Sequence, residues 1–302
     1  MTTPMMGLGL TITWTDWRGK VWDLTTGSEG VVLDVEQSGL DWAKIDQSFS
    51  RGGMVHQATT IAQGEHHLAV TVGWDRTGAD YARLRAEWWT QANSPYMDRA
   101  GTLSVTTPGA GTRTRRLVMA ASPETTFRYD PLLGVDYPTE VWSLTGPSPW
   151  WEGQTQVQEY GQAAFTGSTG IPFYGSTGKG WPLYISAASV VRDVFMSNDG
   201  QGPMWLRWTL QGPLSSPRVG TEAGVLTYAG DIPAGETVTI DTHPATRAVV
   251  EATSGQSRYG EVGGYYRPLP TGDRSPLVMS AEGLTAESKI SVSGVTSYAT
   301  AF

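Results

Sequence analysis

The sequence contains no cysteine and only four histidines among its 302 residues. The missing cysteines exclude structural disulfides, thiolate metal sites and a cysteine nucleophile. The four histidines do not form a pattern typical of a metal site or a catalytic site either. His66 and His67 are adjacent, so a strand would point them to opposite faces, and His56 and His243 are isolated. We therefore expect no metal site, no cofactor and no catalytic histidine.

Charged residues are scarce, at 17% of the chain, and acidic ones exceed basic ones to give a formal net charge of -8. A nucleic-acid-binding surface needs clustered lysine and arginine, so this balance disfavours one. One short basic run, Arg113, Arg115 and Arg116, directly precedes the apolar residues 117–119. We interpret the run as the outward face of a strand, solvated or in an interface, rather than as a phosphate site.

Long apolar runs are also missing, since no stretch approaches the ~20 apolar residues of a membrane span. The first residues, MTTPMMGLGLTITW, lack the basic region and the apolar core of a signal peptide. We expect a soluble protein with no membrane insertion. The phosphate-binding loop pattern is missing as well, because Gly178-Lys179 is followed by Gly180 and Phe173 stands where the first glycine belongs.

Glycine, proline and tryptophan are abundant instead, at 37, 18 and 13 residues. With so few charges, this composition is typical of a turn-rich, mainly β protein. The length suits two ordinary domains or one large β domain. Apolar and small polar residues alternate over 8–15 and 68–74, which predicts half-buried strands. Further strands are predicted around 103–105 and 117–119, joined by a hairpin loop at Gly109-Ala110-Gly111.

One segment has helical periodicity. Tyr81, Leu84 and Trp88 recur at i, i+3 and i+7 between about Gly78 and Ala92, with charged residues on the opposite side. The following Asn-Ser-Pro sequence should end the helix. We expect one helix that lies across a sheet and buries its Trp88 face.

The middle of the chain is rich in glycine, serine and proline. From 146 to 180 it includes GPSP and two copies of GSTG, at 167–170 and 175–178. Such density should block continuous strand pairing, so we interpret 146–180 as long loops at a boundary. The GSTG pair is too short for a structural repeat. We expect one domain over 1–150 and a second over 151–302.

The second half again predicts short strands, spaced about ten residues apart as in a sandwich or jelly roll. One of them, in WLRWTL, lies between Gly202-Pro203 and Gly212-Pro213, which cannot continue a regular strand. Alternation places Trp208 in the core and Trp205 at an edge or against a neighbour. The other strands are predicted at 224–228, 237–241, 247–251 and 289–292.

Two kinds of residue keep other functions open. Acidic pairs for glycoside hydrolysis could come from a set of six carboxylates, although spacing in sequence does not give their separation in space; the set is Asp34, Glu36, Asp41, Asp231, Glu236 and Asp241. We interpret them as structural residues, with Asp231 and Glu236 in the turn around 232–235. Aromatic residues could form a sugar-stacking platform, with Tyr259, Tyr265, Tyr266 and Trp181 as candidates, but packing or subunit contact is favoured.

The order of several segments resembles the distal tail protein family of long-tailed (siphovirus-like) phages, and minor tail proteins of phages that infect actinobacteria in particular. The segments are WRGKVWDLTTGSEGVVL, DYARLRAEWW, GPSPWWEG, NDGQGPMWLRWTLQGPLSSPRV and GDIPAGETVTIDTHPATRAVV. The similarity covers most of the chain and is most specific in the second half. The glycine-rich loop at 161–180 departs from the pattern.

This resemblance implies an N-terminal belt domain, a split barrel with one helix, and a C-terminal galectin-like β-sandwich. It also implies a non-enzymatic virion protein that is assembled in the host cytoplasm and forms a homohexameric ring at the tail tip. Its partners would be the tail tube, the tail-tip hub, the tape measure and the receptor-binding apparatus, with DNA passing through the lumen. The rival hypotheses are a module that binds host surface glycan and a cell-wall glycosidase.

Overall fold

The computed structural model describes residues 9–35, 37–41, 45–49, 56–61, 65–125, 127–134, 137–165, 189–191 and 194–302. These residues form a mainly β protein that divides into two compact units. Unit 1 comprises Met1–Gln154 with Ser297–Phe302, and unit 2 comprises Thr155–Thr296. No helix among the described residues is long and apolar enough to cross a membrane. The mainly β fold class predicted from composition and alternation is confirmed.

Unit 1 is built from antiparallel strands and one regular helix. The elements that begin in it are β1 (Thr11–Thr15), β2 (Val21–Asp23), β3 (Val31–Leu33), β4 (Ile45–Phe49), β5 (His56–Ile61), β6 (Glu65–Val72), α1 (Gly78–Glu87), β7 (Gly101–Thr107), β8 (Gly111–Ala121), β9 (Thr139–Thr145) and β10 (Trp151–Gly161). One sheet has the order β2-β1-β7-β8, and a second has the order β3-β6-β9-β8, so that β8 belongs to both. β4 and β5 pair with each other as a separate hairpin.

Tryptophan dominates the core of unit 1. Strand β1 alternates as predicted, so that Ile12 and Trp14 are buried while Thr11, Thr13 and Thr15 are not. The alternation predicted over 68–74 is wrong in part, because β6 ends at Val72 and Trp74 beyond it is 49% exposed. Helix α1 covers the core with Tyr81 and Leu84, and Trp88 follows in a π-helical turn, Trp88–Ala92, where the regular helix has already ended. The predicted helix and its buried face are thus present, with the last turn widened.

The hairpin between β7 and β8 also forms where the sequence predicts it. Gly109 and Gly111 have φ angles of +88° and +77°, which residues other than glycine rarely adopt. β7 and β8 then pair from Thr107 and Gly111 to Gly101 and Leu117.

Unit 2 is a β-sandwich. The elements that begin in it are α2 (Gln162–Phe165), β11 (Ser189–Val191), β12 (Phe195–Asn198), β13 (Leu206–Gln211), β14 (Leu214–Thr221), β15 (Gly224–Tyr228), β16 (Asp231–Ile232), β17 (Thr237–Asp241), β18 (Ala248–Glu251), β19 (Val262–Gly264), β20 (Gly272–Glu282) and β21 (Lys289–Tyr298). One sheet has the order β18-β17-β13-β21 and the other β11-β20-β14-β15-β19. Both contribute to a single core.

The strand β13 confirms the interpretation of WLRWTL. Leu206, Trp208 and Leu210 are buried, whereas Arg207 is exposed and Trp205 is half-buried. The strand ends at Gln211, directly before Gly212, where any side chain would collide with the backbone, because a Cβ there would lie 2.0 Å from the carbonyl oxygen of Pro233.

The region expected to be loops from 146 to 180 contains a strand, and this expectation is wrong in part. β10 extends over eleven residues, Trp151–Gly161, and α2 follows it. The run TQVQEY includes the strand-forming residues Thr155, Val157 and Tyr160, and the glycine-rich stretch begins only at Gly161, where this strand ends. Both GSTG copies lie outside the described residues.

The last six residues, expected in the second domain, fold with unit 1. The backbone N–H of Ala301 donates to the carbonyl of Leu40, and Arg113 donates to the carbonyl of Thr300. These bonds hold the end of the chain against β8 and the segment around Leu40 of the first unit.

Candidate functional site

The adjacent histidines lie on opposite faces of β6, as the strand geometry predicts. His66 is 1% exposed and its ring meets Trp151 edge-on, with 6.4 Å between the ring centroids. Burial, together with a smaller contribution from the nearby Arg115 charge, lowers the pKa of His66 to about 4. His66 is therefore a neutral core residue at pH 7. His67 is partly exposed, and His243 accepts a hydrogen bond from the backbone of Ala245. The side chain of His56 lies outside the described residues.

The acidic candidates are held by hydrogen bonds and ion pairs. Asp34 accepts from Thr71 and Thr139; burial raises its pKa, but these bonds and one from Val35 outweigh burial and hold the pKa below its usual range. Asp241 pairs with Arg207 at 2.7 Å. Glu236 pairs with Arg258. Asp231 and Asp41 are exposed, and Glu36 lies outside the described residues.

The basic run does not form one outward face. Arg116 is exposed, but Arg115 is 3% exposed and shares the inner side of β8 with Leu117. The guanidinium of Arg115 lies 5.8 Å from the ring centroid of Trp151 and donates to the carbonyl of Ser148. The predicted outward orientation is therefore wrong for this residue. Burial lowers its pKa, because removal from water disfavours the charged guanidinium.

Arg113 is held on the same side of β8 as Arg115, where it binds the end of the chain. Its guanidinium lies 3.8 Å from the ring centroid of Tyr298 and donates to both the carbonyl and the hydroxyl of Thr300. Two of the three arginines thus have structural partners within unit 1, so the run is not a free cationic surface.

A groove on unit 1 is lined by residues of α1, the turn after it and the segment 127–132. It has a volume of about 320 Å³ and a largely apolar lining of Tyr81, Ala82, Arg85, Ala86, Trp89, Phe127 and Leu132. The guanidinium of Arg85 lies 4.6 Å from the ring centroid of Trp89 and 5.3 Å from that of Phe127. Such a surface can receive an apolar side chain beside a cation.

A buried carboxylate fixes one wall of this groove. The side chain of Glu140 is 1% exposed and accepts from Arg85 Nε at 3.0 Å and from Trp89 Nε1 at 2.9 Å. Burial raises the pKa of Glu140, although both donors lower it. Sequence reasoning missed this network. The available signal was the alternation in β9, which places Glu140 on the same side as Trp142 and Leu144.

Two of the tyrosines proposed for sugar stacking come together in unit 2. The rings of Tyr259 and Tyr266 are 6.2 Å apart between centroids, and their planes differ by 6°. The guanidinium of Arg247 lies 4.6 Å from the ring centroid of Tyr266. Tyr265 is 71% exposed and does not join the pair. Trp181 lies outside the described residues.

The fold is similar to solved structures of phage tail proteins. The Dit protein (gp 19.1) of phage SPP1, described as a paradigm of the hub adsorption apparatus in phages infecting Gram-positive bacteria, matches with a TM-score of 0.60 and 11% identity, over 96% of this chain and 99% of that chain. A chain of the phage p2 baseplate in its activated conformation with Sr matches with a TM-score of 0.51 and 13% identity, over 94% of this chain and 97% of that chain. No protein-family model and no curated protein matches the sequence. At these identities the likeness establishes a shared fold.

Proposed function

We propose that this chain is a structural protein of a phage tail, a ring-forming adaptor at the distal end that joins the tail tube to the tail-tip hub and receptor-binding apparatus. The observation that carries the proposal is the extent of the likeness to SPP1 Dit. It covers 96% of this chain and 99% of that one, so both units and their order are shared. Residue patterns point independently to the same family, as described above.

The role is geometric rather than catalytic. A cyclic ring repeats one pair of unlike surfaces around an axis, and it presents two different faces for a tube above and a hub below. The acidic residues that could have served hydrolysis support this role, because Asp34, Asp241 and Glu236 are engaged in hydrogen bonds or ion pairs.

The separate hairpin in unit 1 supports self-association. β4 and β5 pair only with each other among the described strands. A lone two-stranded hairpin is at best marginally stable in water, so a neighbouring copy that pairs with or packs on it would stabilise it. A ring contact through this hairpin would leave the tryptophan core of unit 1 unchanged.

The test is the mass and symmetry of the assembly. Six copies of the 32.6 kDa chain would have a mass of about 196 kDa. We expect native mass spectrometry of the protein co-expressed with its tail neighbours to show this species, and cryo-electron microscopy of intact tails to place one ring at the tail tip. Co-expression matters because weakly associated rings dissociate on dilution.

A hairpin variant separates assembly from folding. Replacing residues 45–61 by a short glycine-serine turn should abolish the hexamer while the exchange protection of β7 and β8 is retained. The same replacement at the β7–β8 hairpin loop, residues 108–110, is the control and should leave the hexamer intact. Tails that carry the protein along the tube, or only at peripheral receptor-binding tips, would contradict the adaptor role.

A further inference from the structure

One edge of the unit 2 sandwich exposes unpaired backbone groups. Strand β19 ends its sheet and pairs only with β15 among the described strands, where Gly264 lies opposite Leu226. The backbone N–H of Tyr265 donates to the carbonyl of Val225 at 3.2 Å. Because bonded and non-bonded residues alternate in an antiparallel pair, the N–H and C=O of Gly264 point away from β15, as does the C=O of Val262. None of these three groups has a hydrogen-bond partner among the described residues.

The edge strand of the other sheet, β18, is closed by its own chain. The carbonyl of Val249 accepts from the N–H of Arg258 at 2.8 Å, and the N–H of Glu251 donates to the carbonyl of Gln256 at 2.9 Å. Natural edge strands that stay open usually carry lysine, proline or a bulge, which prevent pairing with other chains. Strand β19 has the sequence VGG and an unbroken register with β15, so it carries none of these.

The two glycines of β19 differ in what the fold requires of them. Gly264 has a φ of +122°, and a Cβ there would lie 2.1 Å from the carbonyl oxygen of Val225, so this position must be glycine. Gly263 is exposed, its φ lies outside the left-handed region, and a Cβ there would meet nothing within 4 Å. Glycine weakens a strand, and one reason for its presence is a site where another backbone approaches closely. Gly263 fits that reason, because β19 itself has room for a side chain there.

The row of residues that crosses the sheet at this glycine contains one charged side chain. Gly263 lies opposite Thr227, and Thr227 lies opposite Arg218, which is exposed and has no ion-pair partner among the described residues. A strand added beyond β19 would lie three strand spacings from Arg218, about 14 Å, which an arginine and a glutamate side chain together span. Glu261, which precedes β19, already pairs with Arg258 at 3.1 Å. A carboxylate opposite Gly263 would therefore complement Arg218.

From the open edge, the glycine that the fold does not require and the unpaired arginine, we propose that β19 takes up an extended segment of a partner polypeptide as an added strand. Backbone groups of the segment would pair with Gly264 and Val262, as in other cases of strand addition. The segment would carry an acidic residue opposite Gly263 and an aromatic or β-branched residue beside Tyr265, which is 71% exposed on the same face. The proposal concerns unit 2 alone and does not rest on the formation of a ring.

Fluorescence anisotropy with the full chain and labelled peptides tests the edge. The probe is the peptide TETFTVTET, with TKTFTVTKT as the basic comparison, and we expect the acidic peptide to bind roughly tenfold more tightly. Two further copies of the acidic peptide are N-methylated, one on its odd and one on its even residues. Only one of these sets faces the edge in an added strand, so one copy should lose binding and the other retain it. Equal effects of the two methylations, no binding of any peptide, or tighter binding of the basic peptide would overturn the proposal.

Two glycine variants assign the binding to β19. Gly263→Glu places a negative charge at the edge and should weaken binding of the acidic peptide roughly tenfold. Gly260→Glu is the matched control: this glycine is also exposed, a Cβ there also meets nothing within 4 Å, and it lies before the strand, so binding should stay within about threefold of the parent.

Hydrogen exchange locates the bound peptide. The amide of Gly264 should exchange freely in the protein alone and become protected when the acidic peptide is added. Arg218→Gln should bring the acidic and basic peptides within about threefold of each other without changing the difference between the two methylated copies. Protection of Gly264 before any peptide is added, or unchanged binding in Gly263→Glu, would overturn the proposal. Self-association of the chain that Gly263→Glu abolishes would show a second copy as the occupant and would overturn it too.

Discussion

The two units of this chain bury their cores with different chemistry. Among the described residues, unit 1 fully buries five tryptophans: Trp14, Trp22, Trp88, Trp142 and Trp151. Unit 2 buries Trp208 among leucine, isoleucine, valine and methionine. Among the described residues, unit 1 also encloses four charged or imidazole side chains, those of Asp16, His66, Arg115 and Glu140. Unit 2 encloses one, that of Glu251, and its Arg207–Asp241 ion pair lies nearer the surface.

This difference shows that similar β architecture can be stabilised in ways that respond differently to acid and to mutation. Aliphatic side chains do not titrate, and Tyr228, a titratable member of the unit 2 core, has its pKa raised to about 12, so this core does not change its charge as the pH falls. A core that includes imidazole, guanidinium and carboxylate groups depends on their protonation states. Between pH 6.5 and 4, unit 1 should therefore be the more acid-sensitive part, through His66. Glu251 of unit 2, whose pKa is lowered to about 2 by hydrogen bonds from Ser254 and Thr253, loses its contribution only at lower pH. Unit 2 should be the part that depends most on one large side chain.

The largest expected effect is the loss of that side chain. Trp208→Ala should lower the free energy of unfolding of unit 2 by roughly 3 to 5 kcal/mol, since it empties a fully buried aromatic site. Trp205→Ala is the control on the same strand and should cost far less, because Trp205 is only half-buried. Hydrogen exchange of β13 and β17, measured in both variants, reports the stability of unit 2 separately from that of unit 1. Greater loss of protection in Trp205→Ala would contradict the assignment of strand faces.

The same contrast explains what could be predicted from sequence. In β13 every second residue is apolar and buried, so alternation alone identifies the core. In β8 and β9 the same alternation places Arg115 and Glu140 on the core side, and a reading that treats charge as a sign of exposure goes wrong there. Arg115 is accommodated by Trp151, which is 36 positions further along the chain, and Glu140 by donors on α1 and the turn after it. No local pattern contains those partners.

The sequence could not predict that Tyr259 pairs with Tyr266, for a similar reason. The sequence identified both as candidates, but it could not show that a short turn and the strand β19 would bring their rings parallel. It also could not show that Tyr265 stays outside the pair. In each case a tertiary contact, rather than residue type, decides the role.

A second prediction concerns the buried ion pair of unit 1. Arg85→Ala should cost unit 1 about 3 kcal/mol at pH 7, because Glu140 would stay buried with only Trp89 to donate to it. Arg83→Ala, on the same helix, removes a solvent-exposed pair with Asp80 and should cost less than about 0.5 kcal/mol. Chemical denaturation of both variants gives the comparison. Equal costs would show that burial of Glu140 contributes nothing.

A third prediction is the acid sensitivity of unit 1. The pKa of His66 is about 4 in the folded chain and 6.5 when unfolded, so the unfolded state binds more protons between these values. The stability that follows from a neutral His66 is complete above pH 6.5 and is lost as the pH falls to 4, up to about 3 kcal/mol. His66→Gln should flatten this dependence in exchange measurements on β6, whereas His67→Gln should not. Identical pH profiles for the parent and His66→Gln would refute it.

The smallest expected effect distinguishes the two inward-facing arginines of β8. Arg115 is buried without a carboxylate partner among the described residues, so Arg115→Met should leave the stability of unit 1 within about 1 kcal/mol of the parent or raise it. It should also raise the pKa of His66, because the neighbouring positive charge is gone, and so narrow the range of acid sensitivity.

Arg113→Met is the matched variant two positions earlier on the same strand. It loses the contact with Tyr298 and the hydrogen bonds to Thr300, so it should destabilise unit 1 by about 1 kcal/mol and expose residues 297–302 to exchange. The two substitutions remove the same charge from the same side of one strand. If they change the free energy of unfolding of unit 1 in opposite directions, hydrogen-bond partners rather than charge determine the effect. If Arg115→Met destabilised unit 1 as much as Arg113→Met, the guanidinium of Arg115 would be a net stabilising member of the core.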